Sequence, residues 1–366
     1  MSRTKTKSDV KGSIAIERAI GTKERPADEE LGFGRVFTDH MLLMEYEQGL
    51  GWIEPRIVPY RPLELDPAAA AFHYGQTMFE GLKAFRGHDD VVRLFRVHDH
   101  CRRLASGAPR LCMPVVDPRK LHDAIRSLVG LDADWAPRTR GTALYIRPTL
   151  IATEPFLGVR PSSRYLLYII LSPVGPYYPG GLHPLRIWIE GEYARAARGG
   201  LGAVKAGANY GASLLAAREA QENGYAQVLW QDAAGQGHLE EMGVMNLFVK
   251  IDDTLLTPPL SGTILPGVTR DSVLTLARAW GLDVREEPIK LDRLLDAHAS
   301  GRLQEVFGCG TAAVIAPVGE LGNTGRSLTV ADGEVGPLSR RLYDAITAIQ
   351  YAEAPDPYGW TEVVAS

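Results

Sequence analysis

The chain has 366 residues, 45% hydrophobic and 23% charged, with a formal net charge of −4; this predicts two domains or one large α/β unit with a sizeable core, and argues against a general nucleic-acid or acidic-membrane partner. The three cysteines, Cys101, Cys112 and Cys309, form no Cys-x-x-Cys pair, which argues against a disulfide scaffold or zinc ribbon and for a reducing, cytoplasmic setting. No apolar run reaches membrane-spanning length, and the basic residues Arg3, Lys5, Lys7 and Lys11 are not followed by the apolar stretch of a secretory signal.

Residues 1–30 are polar and charged and are expected to be a mobile or loosely docked extension. From Phe33 the pattern becomes strand-like: Met41–Tyr46 reads as a strand, Gln48-Gly49 as a turn, and Ile53–Tyr60 as its return. His73–Gly81 reads as an aromatic-rich helix or tight turn. Leu82–Phe85 and Val91–Phe95 read as a hairpin around Arg86–Asp90. A helix is expected over His98–Ser106. A second begins with Asp117 as N-cap and Pro118 in the first turn, and ends at Gly130. Ala143–Leu150 and Tyr165–Leu171 are strands, the latter apolar enough to be buried on both faces.

A Pro/Gly-rich stretch over 173–183 is the expected linker between a smaller domain, 31–172, and a larger one, 184–366. Beyond it the reading gives a strand at Arg186–Glu190, a helix at Tyr210–Asn223, strands at Val228–Trp230 and Met245–Ile251, and a helix from Thr269. A mostly apolar stretch, Glu305–Pro317, and a last helix from Pro337 to Ile349 follow. Strands and helices do not alternate strictly, which points to an α+β or mixed α/β fold, not a doubly wound parallel sheet.

Gly199–Tyr210 places one lysine, Lys205, among small residues. A lysine walled by Gly and Ala, once desolvated, loses charge and becomes a nucleophile able to form Schiff bases with carbonyl compounds. The same loop taken alone fits an exposed lysine. Two stretches could hold an anion: Leu265-Pro266-Gly267-Val268-Thr269, which opens a helix, and Gly308-Cys309-Gly310-Thr311-Ala312. Neither the Rossmann glycine pattern nor a Walker sequence is present, so a dinucleotide or NTP site is disfavoured. Arg102 or Arg103 could reach a phosphate. Glu240 or Glu241 could face a pyridine nitrogen. Phe33, Tyr74, Phe79, Tyr145 and Tyr177, with Arg147 on the same strand face as Tyr145, could line a pocket for a small carboxylic acid with a hydrocarbon chain. His98 and His100 lie two apart on a helix and face different sides, so a metal site there is discounted and none is expected.

Taken together, several stretches resemble the branched-chain amino acid aminotransferases, fold-type IV pyridoxal-phosphate enzymes. They are Phe37–Met41, His73-Tyr74, Phe79–Phe85, Tyr145–Pro148, Pro173–Gly181, Lys205–Tyr210, Gln227–Trp230, Glu241 to Asn246, Leu265–Arg270 and Gly310–Ala313. The resemblance implies a two-domain architecture with pyridoxal 5'-phosphate between the domains. It implies reversible transamination of L-leucine, L-isoleucine and L-valine with 2-oxoglutarate, giving 2-oxo acids and L-glutamate. By the same resemblance Lys205 is the Schiff-base lysine, and Tyr210 meets the cofactor's phenolic oxygen. Glu241, near Asn246, meets the pyridine nitrogen, and Arg195 lies near the cofactor. Arg103, Leu265, Gly267, Val268, Thr269, Gly310 and Thr311 belong to the phosphate cup and its surroundings. Phe33, Phe79, Tyr145 and Tyr177 belong to the side-chain pocket. Tyr74 and Arg147, with Thr311 and Ala312, belong to the substrate-carboxylate site. Tyr74 comes from the partner subunit in the family, which implies a homodimer. Ala313 and Ala316 stand where animal relatives have a redox Cys-x-x-Cys, so thiol control is not expected there. Val244 replaces a threonine of some relatives. The alternatives are a D-amino-acid transaminase, an aminodeoxychorismate lyase, or a non-catalytic metabolite-binding relative.

Overall fold

A computed structural model of the chain describes residues 14–178 and 180–364. Residues 1–13, Pro179 of the expected linker, and 365–366 lie outside the described residues. Two sheets organise the rest. The first runs, in spatial order, through Ala15–Ile16, Arg56–Pro59, His40–Glu47, Arg164–Val174, Ala143–Ala152, Leu82–Arg86, Val92–Phe95 and Thr361–Val363. Its central pair is antiparallel along its whole length, from Ala143 opposite Val174 to Ala152 opposite Tyr165. Helices Val97–Gly107 and Pro118–Leu131 cover one face, burying Leu104, Leu121 and Leu128 against Leu144, Ile146, Leu167 and Ile169.

The second sheet begins at Leu185. Strands Leu239–Met242, Gln227–Gln231, Leu185–Ile189, Val314–Asn323, Leu303–Gly310 and Met245–Ile251 pair in that order, and the first also pairs with the last, closing a six-membered ring. Thr254–Thr257 and Asp283–Glu286 extend it outward. A third body of apolar side chains joins the two sheets: Phe85, Tyr145 and Val174 pack with Phe307, Ile315, Leu342 and Ile346. Phe307 is fully buried, so truncating it to alanine would cost about 3–5 kcal/mol.

The structure departs from the sequence reading at definite points. Residues 73–81 are two elements: helix Ala70–Tyr74 ends on Gly75, whose φ of 60° is the left-handed cap that glycine tolerates, and strand Thr77–Phe79 follows. The helix expected at Tyr210–Asn223 starts earlier and is broken at Ser213, giving Gly207–Ala212 and Leu214–Glu222. Asp117 caps its helix as expected, accepting from Arg119 N at 2.8 Å, but the helix passes Gly130 to Leu131. Ala15–Ile16 of the N-terminal extension pairs in parallel with Arg56–Ile57, so this part of the extension is docked. The C-terminal strand Thr361–Val363 returns to the first sheet, against Arg93–Phe95, and does not stay with residues 184–329.

Candidate active site

Lys205 ends the small-residue loop one position before Ala206, which bridges to Met78, and Gly207 then starts a short helix. Its carbonyl accepts from Phe79 N at 3.1 Å, so the loop is fastened to the first sheet. Its side chain is partly buried, with Nζ 2.7 Å from the Tyr210 hydroxyl and 4.9 Å from the centre of the Phe79 ring. Desolvation, helped by the Arg103 charge, lowers the amine's pKa to about 8. Burial raises the Tyr210 pKa, so its hydroxyl keeps its proton at neutral pH.

Both acids of the Glu240-Glu241 pair are buried, because they lie on strand Leu239–Met242 and not in an exposed loop. Glu241 Oε1 accepts from Leu265 N at 2.8 Å and from Asn246 Nδ2 at 3.3 Å. Its Oε2 faces Arg195 Nε at 3.2 Å, but that N–H makes no aligned hydrogen bond, so Oε2 keeps acceptor capacity. Burial raises the Glu241 pKa and Arg195 opposes the rise. Leu265 thus holds Glu241 through its backbone N–H, while its carbonyl accepts from Asn246 Nδ2 at 2.9 Å. A small cavity is lined by Arg195, Tyr210, Glu241, Gly243, Val244 and Leu265.

The other end of the site is made of two turns. Helix Val268–Ala279 starts after Gly267 with no side-chain cap, leaving its first N–H groups available. A Cβ on Gly267 would collide with Asn246 Oδ1, so this position requires glycine. Thr311, Ala312 and Ala313 form the tight turn between strands Leu303–Gly310 and Val314–Asn323. Val314 closes it at φ 63°, a strained conformation for a β-branched residue. Val268, Thr269, Gly310 and Thr311 share a small cavity with His100 and Lys83.

Of the two candidate arginines, Arg102 points to solvent and pairs with Asp99, while Arg103 points inward. Arg103 donates from Nε to Glu80 Oε1 at 2.7 Å, from Nη2 to Glu80 Oε2 at 2.8 Å and from Nη1 to Pro266 O at 3.1 Å. Burial raises the pKa of Glu80, but Arg103 and His100 outweigh it and hold the carboxyl well below the carboxylate range. Glu80, His100 and Lys83 carry no role in the sequence reading. Glu80 stands inside a quoted motif, but only the fold shows that its carboxylate meets helix Val97–Gly107. Lys83 is buried, its Nζ donates to Ala312 O at 2.8 Å, and burial lowers its pKa to about 8.

The aromatic residues separate into two groups. Phe33 meets Tyr145 and Tyr177 edge-on at 5.0 and 5.1 Å, and Arg147 lies 4.6 Å over Phe79 while donating to the Tyr145 hydroxyl at 3.0 Å. Gly81 leaves room for that hydroxyl, since a Cβ there would overlap it. Arg147 Nε is buried without a partner. A cavity of about 350 Å³ takes in Lys83, Tyr177 and Ala312 on the side facing helix Pro337–Gln350. Tyr74 stands apart: it is exposed, and its hydroxyl donates to Leu157 O at the surface.

These features fit a pyridoxal phosphate. The desolvated amine suits its aldehyde, the open acceptor on Glu241 suits its ring nitrogen, and the uncapped helix start and adjacent turn suit its phosphate. The amino-transferase class IV family model matches residues 77–321. Branched-chain-amino-acid transaminase 1 of Bacillus subtilis (strain 168) is 51% identical over 349 residues, covering 95% of this chain and 98% of the relative. Among solved structures, the branched-chain amino acid aminotransferase of Escherichia coli aligns with a TM-score of 0.74 at 29% identity, covering 88% of this chain and 99% of that one. A T.th. branched-chain amino acid aminotransferase complexed with N-(5'-phosphopyridoxyl)-L-glutamate aligns at 0.71 and 26% identity, covering 88% and 98%. A free lysine amine under a tyrosine hydroxyl, in a sequence that matches these enzymes over nearly its whole length, places the chain in the class IV aminotransferase family, with the branched-chain-amino-acid aminotransferases.

Proposed function

We propose that the protein is a pyridoxal-phosphate-dependent branched-chain-amino-acid aminotransferase that exchanges the amino group of L-leucine, L-isoleucine or L-valine with 2-oxoglutarate. The observation that carries this reading is the Lys205 amine, with its pKa lowered to about 8 and held 2.7 Å from the Tyr210 hydroxyl. When bound, pyridoxal phosphate supplies an electron sink for the charge left at the substrate Cα. Lys205 Nζ would take the Cα proton as a general base and, as a general acid, deliver it to the carbon on the other side of the amino nitrogen. Tyr210 Oη steadies that amine and the neighbouring phenolic oxygen. Glu241 Oε2 accepts from the ring nitrogen, with Asn246 and Leu265 fixing the carboxylate and Arg195 beside it. Val268, Thr269, Gly310 and Thr311 hold the phosphate by amides and hydroxyls, and Arg103, anchored by Glu80, adds positive charge. Arg147, through its unpartnered Nε, and the turn amides of Thr311 and Ala312 take the substrate carboxylate. Phe33, Phe79, Tyr145 and Tyr177 exclude water from the hydrocarbon chain.

In this reading residues 31–172 and 184–366 form the two domains, with the C-terminal strand crossing back. The protein is a homodimer in which Tyr74 serves the partner's site. Support for that is the exposure of the large apolar side chains Phe72, Tyr74, Leu157 and Val159, with Tyr74 in contact with Leu157. It works in the cytoplasm. The free state of Cys101, Cys112 and Cys309 agrees with that, and no helix among the described residues is long and apolar enough to cross a membrane. The test is a spectrum of the purified protein before and after borohydride, with L-leucine/2-oxoglutarate turnover. A visible chromophore that L-leucine bleaches and borohydride fixes to Lys205 is expected. A colourless, inactive protein, or preference for D-alanine or aminodeoxychorismate, would refute it.

A further inference from the structure

On the far side of helix Val97–Gly107 from Arg103, the C-terminal strand brings Glu362 against two histidines from different helices. His122 Nε2 lies 2.9 Å from both Glu362 oxygens, and His98 Nε2 lies 3.3 Å from Oε2. The two imidazoles stack, with centroids 4.4 Å apart and planes 21° from parallel. The three ligand-type atoms all lie within 4.8 Å of one another. Donors bound about 2.0–2.1 Å from one zinc-sized ion sit roughly 3–3.5 Å apart, so the Glu362 contacts have the spacing of a single coordination shell.

The second ring nitrogen of His122 adds an independent constraint. Nδ1 lies 3.1 Å from Asp123 Oδ1. A neutral imidazole has one N–H and one lone pair, so it can donate to only one of the two carboxylates and must turn a lone pair toward the other. A second ring proton removes the conflict, and so does a cation between Nε2 and Glu362, which leaves the ring neutral. Nδ1–H donating to Asp123 then becomes the carboxylate–histidine–metal arrangement that fixes the ligating tautomer. His122 is 12% exposed and Glu362 28%, which gives a semi-enclosed base, whereas His98 at 61% closes the shell from outside. A surface cleft of about 480 Å³, lined by His98, Arg102, Trp360 and Glu362, leaves room for water in the remaining positions. Arg126 Nε, 3.9 Å from Glu362 Oε1, is beyond hydrogen-bond length, and Arg96 and Arg102 of the cleft are both paired with Asp99.

We infer that His98, His122 and Glu362 bind one divalent transition-metal ion of the zinc type, with Asp123 as the outer partner of His122. Two imidazoles and one carboxylate select such ions over magnesium and calcium, which prefer all-oxygen shells. The ion pins the Thr361–Val363 strand to helices Val97–Gly107 and Pro118–Leu131. Calorimetric titration of EDTA-stripped, pyridoxal-phosphate-loaded enzyme with zinc chloride tests this, with magnesium chloride as the hard-ion control. Expected are one zinc per chain, no magnesium binding, and a zinc-dependent rise in the unfolding midpoint. His98→Ala and Glu362→Gln should each weaken zinc at least tenfold with transaminase turnover kept, and Asp123→Asn should weaken it about tenfold. Because His98 is exposed, its alanine variant tests the site without disturbing the core. No stoichiometric zinc, or zinc held as tightly by either His98→Ala or Glu362→Gln, overturns the inference and leaves the cluster a hydrogen-bonded histidine–carboxylate strut.

Discussion

Two lysines in this protein, Lys205 and Lys83, have the same lowered pKa of about 8, and the proposed reaction uses only the first. Lys83 sits on strand Leu82–Arg86 and donates to the Ala312 carbonyl at 2.8 Å. A carbonyl can only accept, so the contact holds an amine proton in place. Lys205 sits in a loop of small residues, and its partner is a hydroxyl, which can donate as well as accept. Desolvation makes both amines less basic, but in the proposed reading the chemistry of the partner group separates a nucleophile from a strut.

The sharpest way to break the comparison is Lys205→Ala. It should lower L-leucine turnover about 10⁴-fold or more and remove the borohydride-fixed band, with the fold retained by circular dichroism. Tyr210→Phe should lower kcat about 10²-fold without losing cofactor stoichiometry. The rate of pyridoxal phosphate capture by cofactor-free protein should rise about tenfold from pH 7 to pH 9, with a midpoint near 8 as the Lys205 amine deprotonates. Lys83→Met should leave that curve in place and raise the KM for leucine about tenfold with kcat changed less than threefold, because the Thr311–Ala313 turn loses its tie.

Lys83→Met should also change how stability depends on pH. The folded pKa of Lys83 is about 8 against an ordinary 10.5, so the unfolded chain binds more protons between those values. The penalty for burying the charge is therefore full below pH 8, and stability climbs as pH rises toward 10.5. Removing Lys83 should flatten that climb by about 3 kcal/mol, read from urea unfolding at several pH values. If Lys83→Met abolished turnover as Lys205→Ala does, the distinction between the two amines would fall.

Much of the proposed cofactor end was legible in the sequence because its signals are local. The Gly267-to-Val268 helix start, the Lys205 loop and the Thr311 turn after Gly310 are each carried by a few consecutive residues. Glu80 with Arg103, and Lys83 with Ala312, were not legible, because each joins residues distant in sequence across packed elements. Strand Leu239–Met242, which carries the acids at 240 and 241, was not read in the sequence because it is only four residues long. Its pairing with both Gln227–Gln231 and Met245–Ile251 decides it, and a short window of sequence cannot show that. Helical geometry turns His98 and His100 to different sides of one helix, which is all a local reading of that stretch offers. The pairing of His98 with His122 and Glu362 depends on two other elements meeting the helix there.

The strand Thr361–Val363 has a consequence for how the protein is made. It is the outermost partner of Val92–Phe95, so the first sheet is begun by early residues and finished by very late ones. While the chain emerges from a ribosome, the edge at Val92–Phe95 stays bare until synthesis passes Val363, although every other strand of that sheet is already available. An interrupted chain therefore carries an open strand edge beside Arg96 and the helix that bears Arg103, which marks it for aggregation or proteolysis.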